Sequence, residues 1–315
     1  MELSQSYYPT VFSSLPSEVL LLIISNFCLH CREPDRGLQI YYPTKHQEYD
    51  QPSWHALDLQ ALYSTCLVSR RLRDVAQPIL YHEFIPGYAD SFLSRRYEWT
   101  GRLISFFRTV TLRRDLANLV QGVYLSHWLL GPIIVESGRV EAVLEESARI
   151  RGINLSDFLE PFHNLPARAH LKPYRPAADE LVAMLLSFLP NLSRLYLTMA
   201  TPPSPIPVSA LMTAGARLSL QTIEICARNS NLRSRLGGIL EMSLTSLNTL
   251  DINSYCSYNG DKLGLSGMFF PNLRNISVTL SGMSGSDLEI LLSCCTGLET
   301  FIYDASKLIT ILWRS

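Results

Sequence analysis

The sequence predicts an α/β chain. A small all-helical unit at residues 12–85 is followed at 102–315 by a solenoid of helix–strand repeats with a curved parallel sheet. Three observations carry this reading. The pattern apolar-x-x-apolar-x-apolar recurs as Leu192-Leu195-Leu197, Leu220-Ile223-Ile225, Leu247-Leu250-Ile252, Leu273-Ile276-Val278 and Leu298-Phe301-Tyr303, each copy 25 to 28 positions after the last. A looser early copy is Val120-Val123-Leu125. The stretches before several copies, such as 181–188 and 288–294, have helical apolar spacing, and two share the lead-in Pro190-Asn191-Leu192 and Pro271-Asn272-Leu273. Finally, the 315 residues are 47% hydrophobic and only 17% charged, against a usual ~25% charged. Such a chain buries a sizeable core, which excludes a charge-dominated disordered protein.

Charge and cysteine use narrow the class further. With 27 Lys+Arg against 28 Asp+Glu the net charge is −1, without the basic excess that nucleic-acid binding needs. Seven cysteines, an odd number scattered among apolar positions, point to buried thiols in a reducing compartment. The most apolar early stretch, Val19 to Ile24, is six residues long, whereas a membrane span needs about twenty. No membrane contact is expected, and the expected location is the cytoplasm, the nucleus or both.

In the first unit, Pro16 suits the opening of a helix, where its missing N–H costs no hydrogen bond, and Glu18 complements the positive end of the helix dipole. Val19, Leu20, Ile23, Ile24 and Phe27 continue at helical spacing. A second helical stretch starts near Asp58 with Leu59, Leu62, Tyr63, Cys66 and Leu67. A third runs through Val68, Leu72, Val75 and Ala76, with Arg70, Arg71 and Arg73 outward, and Pro78 is expected to end it. Three short helices cannot bury all these faces among themselves, so surplus apolar surface should dock elsewhere.

These residues carry a resemblance. Leu15-Pro16-Ser17-Glu18-Val19-Leu20 with Ile23 and Phe27 resembles the opening helix of an F-box. Cys66-Leu67-Val68-Ser69-Arg70-Arg71-Leu72-Arg73-Asp74-Val75-Ala76 resembles its closing helix. With Gln77-Pro78-Ile79-Leu80-Tyr81, the flavour is that of filamentous-fungal F-box proteins. The resemblance implies a module that packs on the Skp-family adaptor, and through it a cullin, of a cullin-RING ubiquitin ligase. By position it places Leu15, Pro16, Val19, Leu20, Ile23, Leu67, Val68, Leu72 and Val75 at the adaptor interface. Unlike a typical F-box, the unit has a polar, proline-containing insert at 28–58, expected to be an excursion loop. Within it, Cys28-Leu29-His30-Cys31 with His46 and His55 could ligate zinc. No second pair follows at a finger-like spacing, so the expectation is two thiols and a solvated histidine, with no metal and no cofactor.

The second unit reads as a leucine-rich-repeat-like solenoid, its regular repeats at about 181–304. On a strand, residues two apart share a face, so Leu195 and Leu197 point to the helical layer while Arg194, Tyr196 and Thr198 line the inner sheet face. One repeat cannot bury its apolar side alone, and stacking supplies the neighbour. The outward positions form columns: Tyr196, Glu224, Asp251, Ser277 and Ile302, then Thr198, Cys226, Asn253, Thr279 and Asp304. From this mildly acidic, hydroxyl-rich face Arg194, Tyr196, Glu224, Asp251, Asn253, Ser277 and Asp304 are the candidate contacts to a basic or polar protein segment, the substrate that the F-box resemblance implies. An alternative is a scaffold whose F-box-like helices only cap the solenoid.

Residues 126–180 are legible only as a helix at 140–150 followed by a loop punctuated by Pro161, Pro166, Pro173 and Pro176. Pro202, Pro203, Pro205 and Pro207 mark another excursion. The apolar tail after Tyr303, with Leu308, Ile309, Ile311, Leu312 and Trp313, is expected to be a makeshift cap or the sign of a truncated reading frame. Phosphate-binding, nucleophile-elbow, zinc-protease and dinucleotide motifs are absent from the sequence, and Gly282-Met283-Ser284-Gly285-Ser286 has its second glycine one place early for an elbow. No catalytic residue is expected.

Overall fold

The computed structural model describes residues 15–32, 53–86, 101–126, 129–130, 137–163, 176–199, 206–227, 233–253, 264–279 and 283–304. Seven strands, β1 (Glu83–Phe84), β2 (Gly122–Ser126), β3 (Arg194–Met199), β4 (Thr222–Ala227), β5 (Thr249–Asn253), β6 (Asn275–Thr279) and β7 (Thr300–Asp304), form one sheet. All neighbours are parallel and the spatial order is the chain order. The register aligns the repeats: Val123, Leu195, Ile223, Leu250, Ile276 and Phe301 lie side by side across β2 to β7. All of them except Phe301 are at most 1% exposed, in a single core. Two lead-in asparagines each tie their turn to the preceding repeat, Asn191 donating to the Asn118 carbonyl at 2.6 Å and Asn272 to that of Thr245 at 2.7 Å. These bonds satisfy backbone carbonyls that lie between strands, where no ladder bond reaches them.

The first helices are α1 (Ser17–Ser25), α2 (Leu29–Arg32), α3 (Trp54–Val68) and α4 (Arg70–Leu80). Leu20, Ile24, Cys28, Leu62, Cys66, Leu72, Ala76 and Ile79 make their own small core. The insert is shorter than its expected 28–58, because both ends are helical; its middle, with His46, lies outside the described residues. α3 starts four residues before Asp58, where the Ser53 hydroxyl caps it by accepting from the Ala56 N–H at 3.1 Å. Ser69, in extended conformation, breaks the chain between α3 and α4, its hydroxyl accepting from the Leu72 N–H at 3.2 Å. Pro78 does not stop α4; it sits in the last turn, where a lost N–H leaves little of the helix behind it, and the Tyr81 N–H bonds back to the carbonyls of Gln77 and Pro78.

The larger layer holds α5 (Arg102–Leu112), α6 (Arg114–Ala117), α7 (Ser137–Arg151), α8 (Leu155–His163), α9 (Pro176–Ser187), α10 (Val208–Thr213), α11 (Arg233–Ser243) and α12 (Gly285–Ser293). Two prolines expected in a loop are helical. Pro176 opens α9, and Pro161 lies within the short α8. Pro166, Pro173, Pro202, Pro203, Pro205 and the tail beyond Asp304 lie outside the described residues. Among the described residues no helix is long and apolar enough to cross a membrane.

The repeat sheet begins at residue 83, not 102. β1 follows α4 after one turn, and the His82 carbonyl accepts from the Gln121 and Gly122 N–H groups at 2.8 and 3.0 Å. Phe84 then stacks on Phe106 of α5 at 4.0 Å. The helical unit is therefore continuous with the first rung of the solenoid.

Candidate functional site

Two surfaces stand out, one on each unit. On α1, Leu20 and Ile24 face the small core, so helical spacing turns Val19, Leu22 and Ile23 outward. Leu22 is 70% exposed, and at the end of α3 Leu67 and Val68 are 62% and 71% exposed. Pro16 is exposed and Leu15 half-buried, with Arg71 donating to the Leu15 carbonyl. Exposed large aliphatic side chains are thus present both on α1 and at the end of α3 of this small unit, the kind of surface that interaction sites use.

This corrects two of the expected adaptor residues. Leu20 and Leu72, 0% and 3% exposed, fill the unit's own core and have no surface to offer. Val75 is half-buried against the same core. Leu22 takes the vacated place in the stripe. Its signal was in the sequence, three residues after Val19 on the face opposite Ile24.

The inner sheet face differs more from expectation. Arg194, Tyr196 and Glu224 are 8%, 2% and 1% exposed. The reason for Tyr196 is that Ile85, just after β1, packs on it, with Leu29 of α2 and Tyr124 alongside. The chain covers the first strands of its own inner sheet face. Burial raises the pKa of Glu83 and of Tyr196, and Arg194 opposes both shifts through its charge. That buried charge set is a joint between the two units and is closed to a ligand.

The open part of the face lies further along. Register places Asp251, Ser277 and Ile302 in one row and Asn253, Thr279 and Asp304 in the next. All are half-buried except Ile302, which is exposed. Thr279 donates to the Asn253 side chain, and the Asn275 amide donates to Asn248 at 3.1 Å, so these polar groups are held in place.

His55, one of the two distant histidines of the insert, is buried at 1% exposure. Burial, with the Arg32 charge adding to it, pulls its imidazole down to about 4, whereas burial pushes the Asp251 carboxyl up to about 6. The two act oppositely on stability. Unfolded His55 takes a proton near 6.5 and the folded form only near 4, so acidification across that window costs stability. Folded Asp251 takes its proton near 6, above its unfolded value of about 3.9, so acidification from 6 to 4 contributes stability. Melting temperatures at pH 7.5 and 5.0 should separate them: His55→Gln lessens the loss on acidification relative to wild type, and Asp251→Asn deepens it.

A family model described as the leucine-rich repeats of FBD-associated F-box protein At5g56370 matches residues 208–314. It spans the strands β4 to β7, so this region is similar to F-box-associated leucine-rich repeats. The model is named for a plant protein, which gives no support to a fungal origin. No curated protein and no solved structure matches the chain.

Proposed function

We propose that this chain is the substrate-receptor subunit of a Skp-cullin-F-box ubiquitin ligase, working in the cytoplasm or nucleus. Its first helices dock on the Skp-family adaptor through Pro16, Val19, Leu22, Ile23, Leu67 and Val68. The open rows from Asp251 to Asp304 hold a basic or polar segment of the target protein. The subunit is non-catalytic: it contributes to rate by holding target and ligase together, which replaces a bimolecular encounter with an intramolecular one. The observation that carries this reading is the uncovered aliphatic surface on α1 and at the end of α3, 70% and 71% exposed at Leu22 and Val68, in a chain whose repeat region is similar to F-box-associated repeats.

One observation favours the alternative of a scaffold whose first helices only cap the solenoid: α2 and the residues around β1 do cover the sheet's first strands. That contact uses Leu29, His82 and Ile85 and leaves the α1 stripe in water, so capping and adaptor binding are compatible. Co-expression of the full chain with a Skp-family adaptor decides between them. A stable 1:1 complex in size-exclusion chromatography is expected; elution of a well-folded chain by itself leaves the scaffold reading in place. On the target side Asp251→Lys should weaken capture of any substrate found with the complex. Glu224 is unsuitable for that test because it is buried.

A further inference from the structure

We propose that Cys28, His30, Cys31 and His82 form a structural zinc site that pins the helical unit to the first rung of the solenoid. The ligand atoms of these four residues, two thiols and two imidazoles, all lie within 4.8 Å of one another. Cys31 Sγ is 3.2 Å from His82 Nδ1 and 3.8 Å from His30 Nδ1, and Cys28 Sγ is 3.9 Å from His82 Nδ1. Zinc binds sulfur at about 2.3 Å and nitrogen at about 2.0–2.1 Å, so the edges of a Cys2His2 tetrahedron run from roughly 3.3 to 3.8 Å. These three separations lie within about 0.4 Å of such edges, and with every pair inside 4.8 Å the widest must close by at most about 1.5 Å around the ion.

The donor set selects the metal. Two soft thiolates and two imidazoles suit Zn2+ and not the hard cations, which take oxygen ligands. Four protein ligands leave no open position for water, which makes the site structural. Binding deprotonates both thiols and releases two protons, and the two negative charges cancel those of the ion. The site is then neutral, as its partly buried position demands; Cys28 is only 3% exposed.

The surroundings hold the ligands in place. Glu83 accepts from the Leu29 N–H at 3.1 Å, between Cys28 and His30; it also accepts from the Cys28 thiol at 3.6 Å in the metal-free chain, a contact that ends when that thiol gives up its proton on binding zinc. His82 is fixed through its carbonyl, which accepts from Gln121 and Gly122 at the sheet edge. Three ligands come from α2 and the residue before it, and the fourth from the turn before β1. Zinc would therefore tie together two segments 51 residues apart, across the base of the insert. Among the described residues the pair gathers His30 and His82 and not His55, so the expectation of a metal-free pair is revised.

The test uses the full chain, purified without chelator and, if the adaptor is needed for solubility, as the complex. Elemental analysis should find one zinc per chain, and loading the stripped protein with Co2+ should give the visible bands of a tetrahedral thiolate site. Cys31→Ser and His82→Asn should each reduce zinc at least tenfold, while His55→Gln keeps it. A strong chelator should lower the melting temperature of wild type by at least about 5 °C and leave that of Cys31→Ser unmoved. Zinc-free wild-type protein that melts cooperatively, a Cys28–Cys31 disulfide in freshly isolated chain, or full zinc retention in the Cys28→Ser/Cys31→Ser double variant would each overturn the site. The Co2+ spectrum of wild type keeps the test decisive if a variant fails to fold.

Discussion

Leu22→Asp combined with Val68→Asp should leave the melting temperature of the full chain within about 2 °C of wild type while weakening adaptor binding at least a hundredfold. Both side chains are more than two-thirds exposed, and substitutions at such surface positions usually change stability by no more than about 0.5 kcal/mol. At an interface the same change removes two apolar anchors and forces two carboxylates to lose water. A hundredfold loss corresponds to about 2.7 kcal/mol, within the range of one or two interface hot spots. The contrasting variants are Leu20→Ala and Leu72→Ala. These side chains are 0% and 3% exposed in the unit's own core, where truncation costs about 2–5 kcal/mol. Calorimetry or interferometry against purified adaptor, paired with thermal melts, reads both quantities. Undiminished affinity in the double aspartate variant would place the interface elsewhere, since nothing structural has been removed.

The contrast between Leu20 and Leu22 shows what the sequence makes legible. Periodicity identifies α1 and its apolar residues, but every face of this helix is apolar, so the pattern does not say which side faces inward. Only packing against Leu62, Leu72 and Ala76 chooses it. The solenoid was more readable because strand alternation has just two faces, and every core position from Val123 to Val278 falls where alternation puts it. The polar face was not readable, for a reason of topology. Ile85 and Leu29 cover Tyr196 from more than a hundred residues earlier in the chain, and no local pattern announces that contact. β1 escaped notice because two residues, Glu83 and Phe84, are too few for any periodicity. His82 escaped for the same reason as Ile85: its partners are brought to it by the fold.

Gly238→Ala should destabilise the chain by about 1–3 kcal/mol, the usual cost of forcing extra volume into a packed core. Propensity alone predicts the reverse, because Gly in a helix interior is about 1 kcal/mol worse than Ala. Gly238 sits in the middle of α11, among the buried residues Leu236, Ile239 and Leu240. A Cβ there would stand 2.3 Å from the Ile206 carbonyl oxygen, 3.0 Å from the Val208 nitrogen and 3.2 Å from the Pro207 carbonyl carbon. These are backbone atoms at the entrance to α10 and cannot swing aside as a side chain would, so the two repeats must separate. In a stacked solenoid each repeat is stabilised by its neighbours, so the damage should appear as a lowered and broadened denaturant transition as well as a fall in melting temperature. Gly285→Ala at the start of α12 is the control, since a Cβ there meets nothing within 4 Å. It should be neutral or mildly stabilising. A Gly238→Ala variant that melts higher than wild type would mean that α11 does not approach the Ile206–Val208 backbone this closely.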